Sequence, residues 1–362
     1  MNVLFDNIIF NLQSTGGISV VWYQLLRRAM RDESFNKRFI SYDNSNDYYH
    51  QLTLPYHLTL RQRFRPYGER FLQPHIDLPF EHCVFHSSYF RYLNDPSVVN
   101  ITTIHDFIFE FYRENLARYY GHKQMMLRAI RHSEGIICVS EHTKRDLMTF
   151  YPKMKEDRVK VVYNGVDKRY RMTERREPCT PFEQGSYLLF VGSRVAKYKN
   201  FEEVVELASR TGMPLVFVGV QPTPAEQMLL SRKVGKRYHC CTGPTIEHLN
   251  ELYNQAFCLV YPSDYEGFGI PIIEAQQAGC PVLTKSVASI PEVAGDAALL
   301  IKHHERQRDL DAMEHLIYEL KQGRIDRSNL IERGMQNARR FSWDKTYAET
   351  VEFYRQIDQA TH

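Results

Sequence analysis

No apolar run in this 362-residue chain approaches the ~20 residues that a membrane-crossing helix needs. Nor does it open on a basic stretch followed by an apolar one and a small-residue cleavage site. Met1 to Asp6 enters a strand-like run directly, so no secretory leader is expected. Charge of one sign is not in excess: the net charge of +3 is too small to argue for nucleic acid as a partner. Cysteines number seven, an odd count, and no two have the two-residue spacing of zinc or redox motifs. Cys138, Cys258 and Cys280 lie in apolar contexts and read as small buried hydrophobes, and adjacent Cys240 and Cys241 make a poor redox pair. A reducing compartment follows, most simply a cytoplasm. With 43% apolar and 25% charged residues, neither disorder nor a membrane class describes the whole chain.

What is present is alternation. The spacing predicts a first strand over 3–10, a glycine-containing loop over 11–17 and an amphipathic helix over 18–31. Further strands are predicted at 38–42, 83–86, 99–103, 135–139 and 159–163, with helices at 116–132 and 141–151 among them. Residues 168–185 carry charges, Pro178 and Pro181 without apolar period, and read as a linker. A second series follows: strands at 187–191, 214–218, 239–242, 256–260 and 282–284, and helices at 201–210, 224–234, 246–254 and 308–322. Strands alternating with helices imply parallel sheets covered on both faces. The expected domains are therefore 1–167 and 186–343, and a last helix from about 344 carries Tyr347, Val351, Tyr354 and Ile357 on one face.

One stretch combines features that ligands use. From Tyr261 to Glu274 an apolar strand passes through Gly267, Phe268 and Gly269 into a helix with Pro271 in its first turn. The helix start offers unpaired N–H groups and a positive dipole end to an anion. Glu266 and Glu274 bracket it as acceptors for sugar or ribose hydroxyls; the alternative is a buried turn with two solvated glutamates. After the strand near 190 come Arg194, Lys197 and Lys199, suited to a diphosphate leaving group or to a solvated basic loop.

Two glutamates with seven residues between them, around Gly-Phe-Gly, resemble the signature of the family-4 retaining glycosyltransferases, which have the GT-B fold of two Rossmann-like domains facing across a deep cleft. Other stretches resemble that family in order: Ser14 to Ile18, Thr103 to Asp106, Ile136 to Ser140, Val161 to Asp167, Phe190 to Arg194 with Lys199 and Asn200, and Ile290 to Asp296. The resemblance implies a retaining, metal-independent hexosyltransferase with a sugar nucleotide as donor substrate and no cofactor. Mannose-type donors, as in polysaccharide and O-antigen mannosyltransferases, are favoured. It implies that Glu274 holds the ribose, that Glu266 holds the transferred sugar, and that Arg194 and Lys199 hold the diphosphate. Backbone amides of Gly267, Phe268, Gly269 and Ile270, with the first-domain glycines Gly16 and Gly17, complete the donor site.

His105 is implied near the reacting centre. Asp106, Tyr89, Ser140 and Asn164 are candidates for the acceptor side, although Asp106 and Ser140 serve equally well as helix caps. The C-terminal helix is implied to pack back on the first domain. No Asp-X-Asp motif stands at a strand end to hold a metal. Two other readings remain: a catalytically silent binding or assembly subunit, and another sugar-nucleotide enzyme of this fold such as an epimerase. The acceptor is expected to be a glycan or lipid-linked saccharide. The stretch Leu60 to Leu72, four arginines among aromatics, suits either peripheral contact with the cytoplasmic face of an anionic inner membrane or a solvated loop.

Overall fold

The computed structural model describes residues 1–362 except Thr15, Pro66, Tyr67, Glu114, Arg175, Arg176, His303, His304 and His362. The chain divides into two units, residues 1–165 with 343–362, and residues 166–342.

Unit 1 begins β1 (Asn2–Asp6), α1 (Ile9–Leu12), α2 (Gly17–Ala29), β2 (Asn36–Tyr42), α3 (Asp47–Gln51) and β3 (Thr59–Gln62). It continues β4 (Cys83–Ser87), β5 (Val98–Ile104), α4 (Ile108–Phe111), α5 (Leu116–His132), β6 (Gly135–Cys138), α6 (Glu141–Phe150) and β7 (Val159–Val161). The seven strands are parallel, in the order β3-β2-β1-β4-β5-β6-β7. The expected strand over 3–10 stops at Asp6: Ile8, Ile9 and Phe10 are buried as a helical turn instead. A short apolar run reads alike as strand or helix, which is why sequence missed this.

Unit 2 runs β8 (Leu188–Val191), α7 (Phe201–Thr211), β9 (Leu215–Val218), α8 (Pro224–Val234), β10 (Tyr238–Cys241), α9 (Ile246–Gln255) and β11 (Cys258–Tyr261). Then come α10 (Ile270–Gln277), β12 (Val282–Lys285), α11 (Ile290–Ala294), β13 (Leu299–Ile301), α12 (Arg306–Lys321) and α13 (Arg327–Ala338). Its six parallel strands follow the order β10-β9-β8-β11-β12-β13. Both strand orders reverse once, between β1 and β4 and between β8 and β11. In open α/β sheets a ligand sits outside the strand carboxyl ends at that reversal.

The last helix, α14 (Trp343–Thr361), belongs to unit 1. Its Val351, Phe353, Tyr354 and Ile357 join Val3, Phe5, Trp22, Val99 and Ile101 in one core. A Cβ at Gly135 would lie 2.9 Å from the Phe353 ring, so glycine there lets helix and sheet approach. The segment read as a linker, 168–185, is fastened within unit 2. Asn250 and Asn254 of α9 accept from the N–H groups of Arg171 and Thr173, and Gln255 from that of Cys179.

Candidate functional site

In unit 2 the loops after β8 and β11, the two strands flanking the reversal, are joined to each other. Asn200 adopts left-handed backbone (φ 54°), which its short polar side chain tolerates, and its amide donates to Pro262 O at 2.9 Å. The N–H of Asp264 donates to Tyr198 O. From the other side Ser289 Oγ donates to the carbonyls of Glu266 and Phe268 at 2.8 and 3.0 Å. Phe268 itself is buried edge-on against Phe341, so it anchors the loop and leaves ligand contact to the backbone. Gly269 caps α10 with φ 101°, a conformation that a side chain would strain.

This scaffold sets three charged groups. Lys199 Nζ pairs with Glu266 Oε1, bonds Tyr261 OH at 3.1 Å and stands 5.2 Å from the Tyr261 ring centre. Glu274, half-buried one turn into α10, accepts from Tyr253 OH at 3.0 Å and from Tyr170. Burial pushes its carboxyl up to about 7, against the pull of those two hydroxyls. Glu266, Gly267, Phe268, Gly269, Ile270, Glu274 and Lys199 thus fall on two interlocked loops and one helix start.

Arg194 is not joined to them by any described contact. Its Nε pairs with Glu226 of α8 at 3.0 Å, its terminal nitrogen donates to Val220 O, and the guanidinium lies 4.9 Å from the Phe217 ring centre and 5.6 Å from that of Phe201. The side chain is only 3% exposed. Glu226 is also half of the capping box of α8, so Arg194 ties loop to helix. The sequence spacing alone could not tell a cation aimed outward from one folded under its loop.

In unit 1 the ends of β4, on one side of the reversal, and of its neighbour β5 border a cavity of about 530 Å³. Gln13, Ile18, Tyr89, His105, Asp106, Phe109 and His122 are among its lining residues. Burial pushes the His105 imidazole down to about 4 and the Tyr89 phenol up to about 12, so both are neutral near pH 7. Phe109 and His122 stack with ring centres 4.1 Å apart, giving a flat wall. Asp106 Oδ1 accepts from the Ile108 N–H in the turn that leads into α4.

Asn46 holds the glycine loop, donating to Gln13 O and Ser14 O at 2.6 and 3.1 Å. Thr15, within that motif, lies outside the described residues. Gly16 precedes α2, and a Cβ there would sit 2.5 Å from Gln13 Oε1. Gly17 opens the helix with nothing within 4 Å of the position of a Cβ.

Two other candidates sit elsewhere. Ser140 is fully buried and its Oγ accepts from the Thr143 N–H at 3.0 Å, capping α6. Asn164 is buried and lines a smaller space with His86, Trp343, Thr103 and His105, the last two of which also line the first cavity. Sequence reasoning missed Tyr170, Tyr253, Tyr261 and Ser289, because tyrosines in apolar runs carry no signal of what their hydroxyls reach.

Two parallel-sheet units of this kind are the GT-B fold. Residues 15–170 match the family model Glycosyltransferase Family 4 and residues 172–337 match Glycosyl transferases group 1. The chain belongs to this family of glycosyltransferases. Among curated relatives it is 27% identical over 274 residues to O-antigen chain mannosyltransferase B of Escherichia coli, covering 70% of each chain. It is 27% identical over 256 residues to alpha-maltose-1-phosphate synthase of Mycolicibacterium smegmatis, covering 63% of this chain and 65% of that one. Sucrose-phosphate synthase of Thermosynechococcus elongatus superposes with a TM-score of 0.74 at 16% identity, covering 99% of this chain and 100% of that one. HepE of Anabaena, solved with UDP and glucose, does so at 0.69 and 13% identity, covering 98% and 100%.

Proposed function

We propose that this glycosyltransferase moves a hexose from a nucleoside diphosphate sugar to a saccharide acceptor with retention of anomeric configuration and without a metal ion. The observation that carries the reading is the Lys199–Glu266 pair set on the loops that meet at the sheet reversal of unit 2. A diphosphate leaving group gains negative charge as the glycosidic bond breaks, so a fixed cation stabilises the transition state more than the ground state. Lys199 supplies that cation, and the N–H groups at the start of α10 add to it. Glu266, relieved of the lysine by the incoming phosphate, accepts hydroxyls of the sugar.

Glu274 accepts from the ribose hydroxyls, held in place by Tyr170 and Tyr253. The unit 1 cavity takes the acceptor: aromatic faces such as Phe109 suit the apolar face of a sugar ring, and neutral His105 is a hydrogen-bond partner there. Mannose as the transferred sugar is supported by the mannosyltransferase relative, which is active on O-antigen chains by its name. Arg194 serves as the strut of the Lys199 loop.

A panel of sugar nucleotides tests this by thermal shift followed by turnover. One donor should raise the melting temperature and be hydrolysed slowly without acceptor; binding at 100 times Kd adds about 2.7 kcal/mol. Turnover should continue in excess EDTA with the anomeric configuration retained. Binding of no sugar nucleotide contradicts the transferase reading, and loss of activity in EDTA restored by magnesium contradicts its metal-free form.

A further inference from the structure

The unit 1 cavity has a rim that a neutral saccharide does not require. Arg70 and Arg118 both line it, and both are exposed. Among the described residues neither meets a carboxylate. Glu110, on the same hairpin of α4 and α5, is taken by Lys123, Arg113 and the hydroxyl of Tyr119. Asp106, the one acid among the lining residues, accepts from the Ile108 N–H at the start of α4.

Both arginines are nevertheless held in place. The Arg118 guanidinium lies over the Phe109 ring at 5.3 Å and that of Arg70 over Phe71 at 4.9 Å, cation–π contacts that leave their N–H groups as donors. The turn bearing Arg70 is fastened on both sides by buried Arg91. That residue pairs with Glu69 at 3.2 Å and donates from Nε to Leu72 O at 2.9 Å. Arg118 and Ala117 belong to the first turn of α5, a helix of 17 residues whose start adds positive potential to the same rim. The two charges converge on the same wall. Both push the His122 imidazole down, though less than its burial does, and both act on Tyr89.

We infer that the acceptor carries a phosphate group beside its accepting sugar, gripped at the cavity rim by Arg70 and Arg118. This rests on the reading of that cavity as the acceptor site. A phosphate presents oxygens that two guanidinium forks can share, whereas sugar hydroxyls give neither arginine a charge to meet. The basic stretch from Leu60 to Leu72 thereby divides in function: its first residues form an edge strand, while Arg70 and Phe71 line the cavity. The phosphate belongs either to a lipid headgroup or to a free phosphorylated saccharide; both present the same chemistry.

Calorimetric titration of the full chain with octyl phosphate, octyl glucoside and inorganic phosphate separates these. Octyl phosphate should bind wild type at least about 10-fold more tightly than octyl glucoside, and Arg70→Gln and Arg118→Gln should each lower that affinity by about 10-fold, the size of one charge-assisted contact. Lys199→Met should leave it unchanged, with melting temperatures confirming that each variant is folded. An affinity gain from the octyl chain assigns the phosphate to a lipid headgroup; equal affinity for inorganic phosphate assigns it to a free saccharide. Equal binding of octyl phosphate and octyl glucoside overturns the inference, as does a loss that follows Lys199 and not the arginines. A protein that turns over a sugar nucleotide yet shows no arginine-dependent phosphate binding overturns this inference alone. One that turns over none overturns the transferase reading beneath it.

Discussion

Units 1 and 2 share a plan, a parallel sheet reversing once with loops at the carboxyl ends of the central strands, yet they fill it with opposite chemistry. Unit 2 brings ionised side chains to the reversal and spends tyrosine hydroxyls and main-chain bonds on fixing them. Unit 1 brings neutral imidazoles and aromatic faces, and keeps its charges for the rim. The contrast fits the ligands assigned to each. A nucleoside diphosphate always offers the same phosphates and ribose, so a fixed polar set serves every donor. The proposed acceptor is a saccharide, for which the stacked rings and neutral imidazoles of the unit 1 cavity suit the sugar and the rim arginines its charge.

The largest effect should come from Lys199, because it meets charge that grows during reaction. Lys199→Met should lower kcat by about 10²–10³-fold, comparable to losing one oxyanion donor, with little change in donor KM. Steady-state kinetics checks this; kcat near wild type would place the leaving-group cation elsewhere and erase the asymmetry between the units. Arg194, five residues earlier, should behave differently. Removing it leaves Glu226 without its partner in a site where the arginine is 3% exposed, so Arg194→Ala should lose about 2–4 kcal/mol of stability. Chemical denaturation measures this. A stable Arg194→Ala protein with kcat reduced like that of Lys199→Met would return the arginine to the phosphate.

A third effect is pH-dependent. Glu274 holds its proton up to about 7, above the ordinary 4.5, because burial disfavours the charged form. Its contribution to stability is therefore fully present below pH 4.5 and is lost as pH rises through 7. Donor binding runs the other way, since ribose hydroxyls need an ionised acceptor: donor affinity should rise between pH 6 and 8, tracking the carboxyl near 7. An affinity flat across that range would remove Glu274 from the donor site. The smallest effect is structural. Ser140→Ala should cost about 1 kcal/mol through loss of the α6 cap, visible in the melting temperature with kcat unaltered. A kcat loss without destabilisation would move Ser140 into the acceptor site.

Legibility followed the same division. Most helices and central strands were readable, since buried parallel strands are apolar runs and their helices have a clear period. β3 was not, because an edge strand reading Thr-Leu-Arg-Gln has little apolar content and looks like the basic stretch it belongs to. β13 and α13 also went unread: three apolar residues are too few for a pattern, and α13 exposes much of its length. Of the candidate site, the glycine loop was visible because backbone geometry dictates residue type there, and its two glutamates through their resemblance to the family signature. The partners that hold them, Tyr253, Tyr261 and Ser289, come from distant segments, and only the fold brings them together. For Arg194 the residue type suited phosphate, and its packing against Phe201 and Phe217 and its pairing with Glu226 carried no signal in the sequence.

The account's central claim is that unit 2 holds the nucleotide, and the most direct test is calorimetric affinity for the nucleoside diphosphate of the donor that is turned over. Glu274→Gln should weaken that binding by about 10- to 100-fold, the worth of hydrogen bonds to a charged group, while the protein remains folded. Affinity equal to wild type would contradict the assignment.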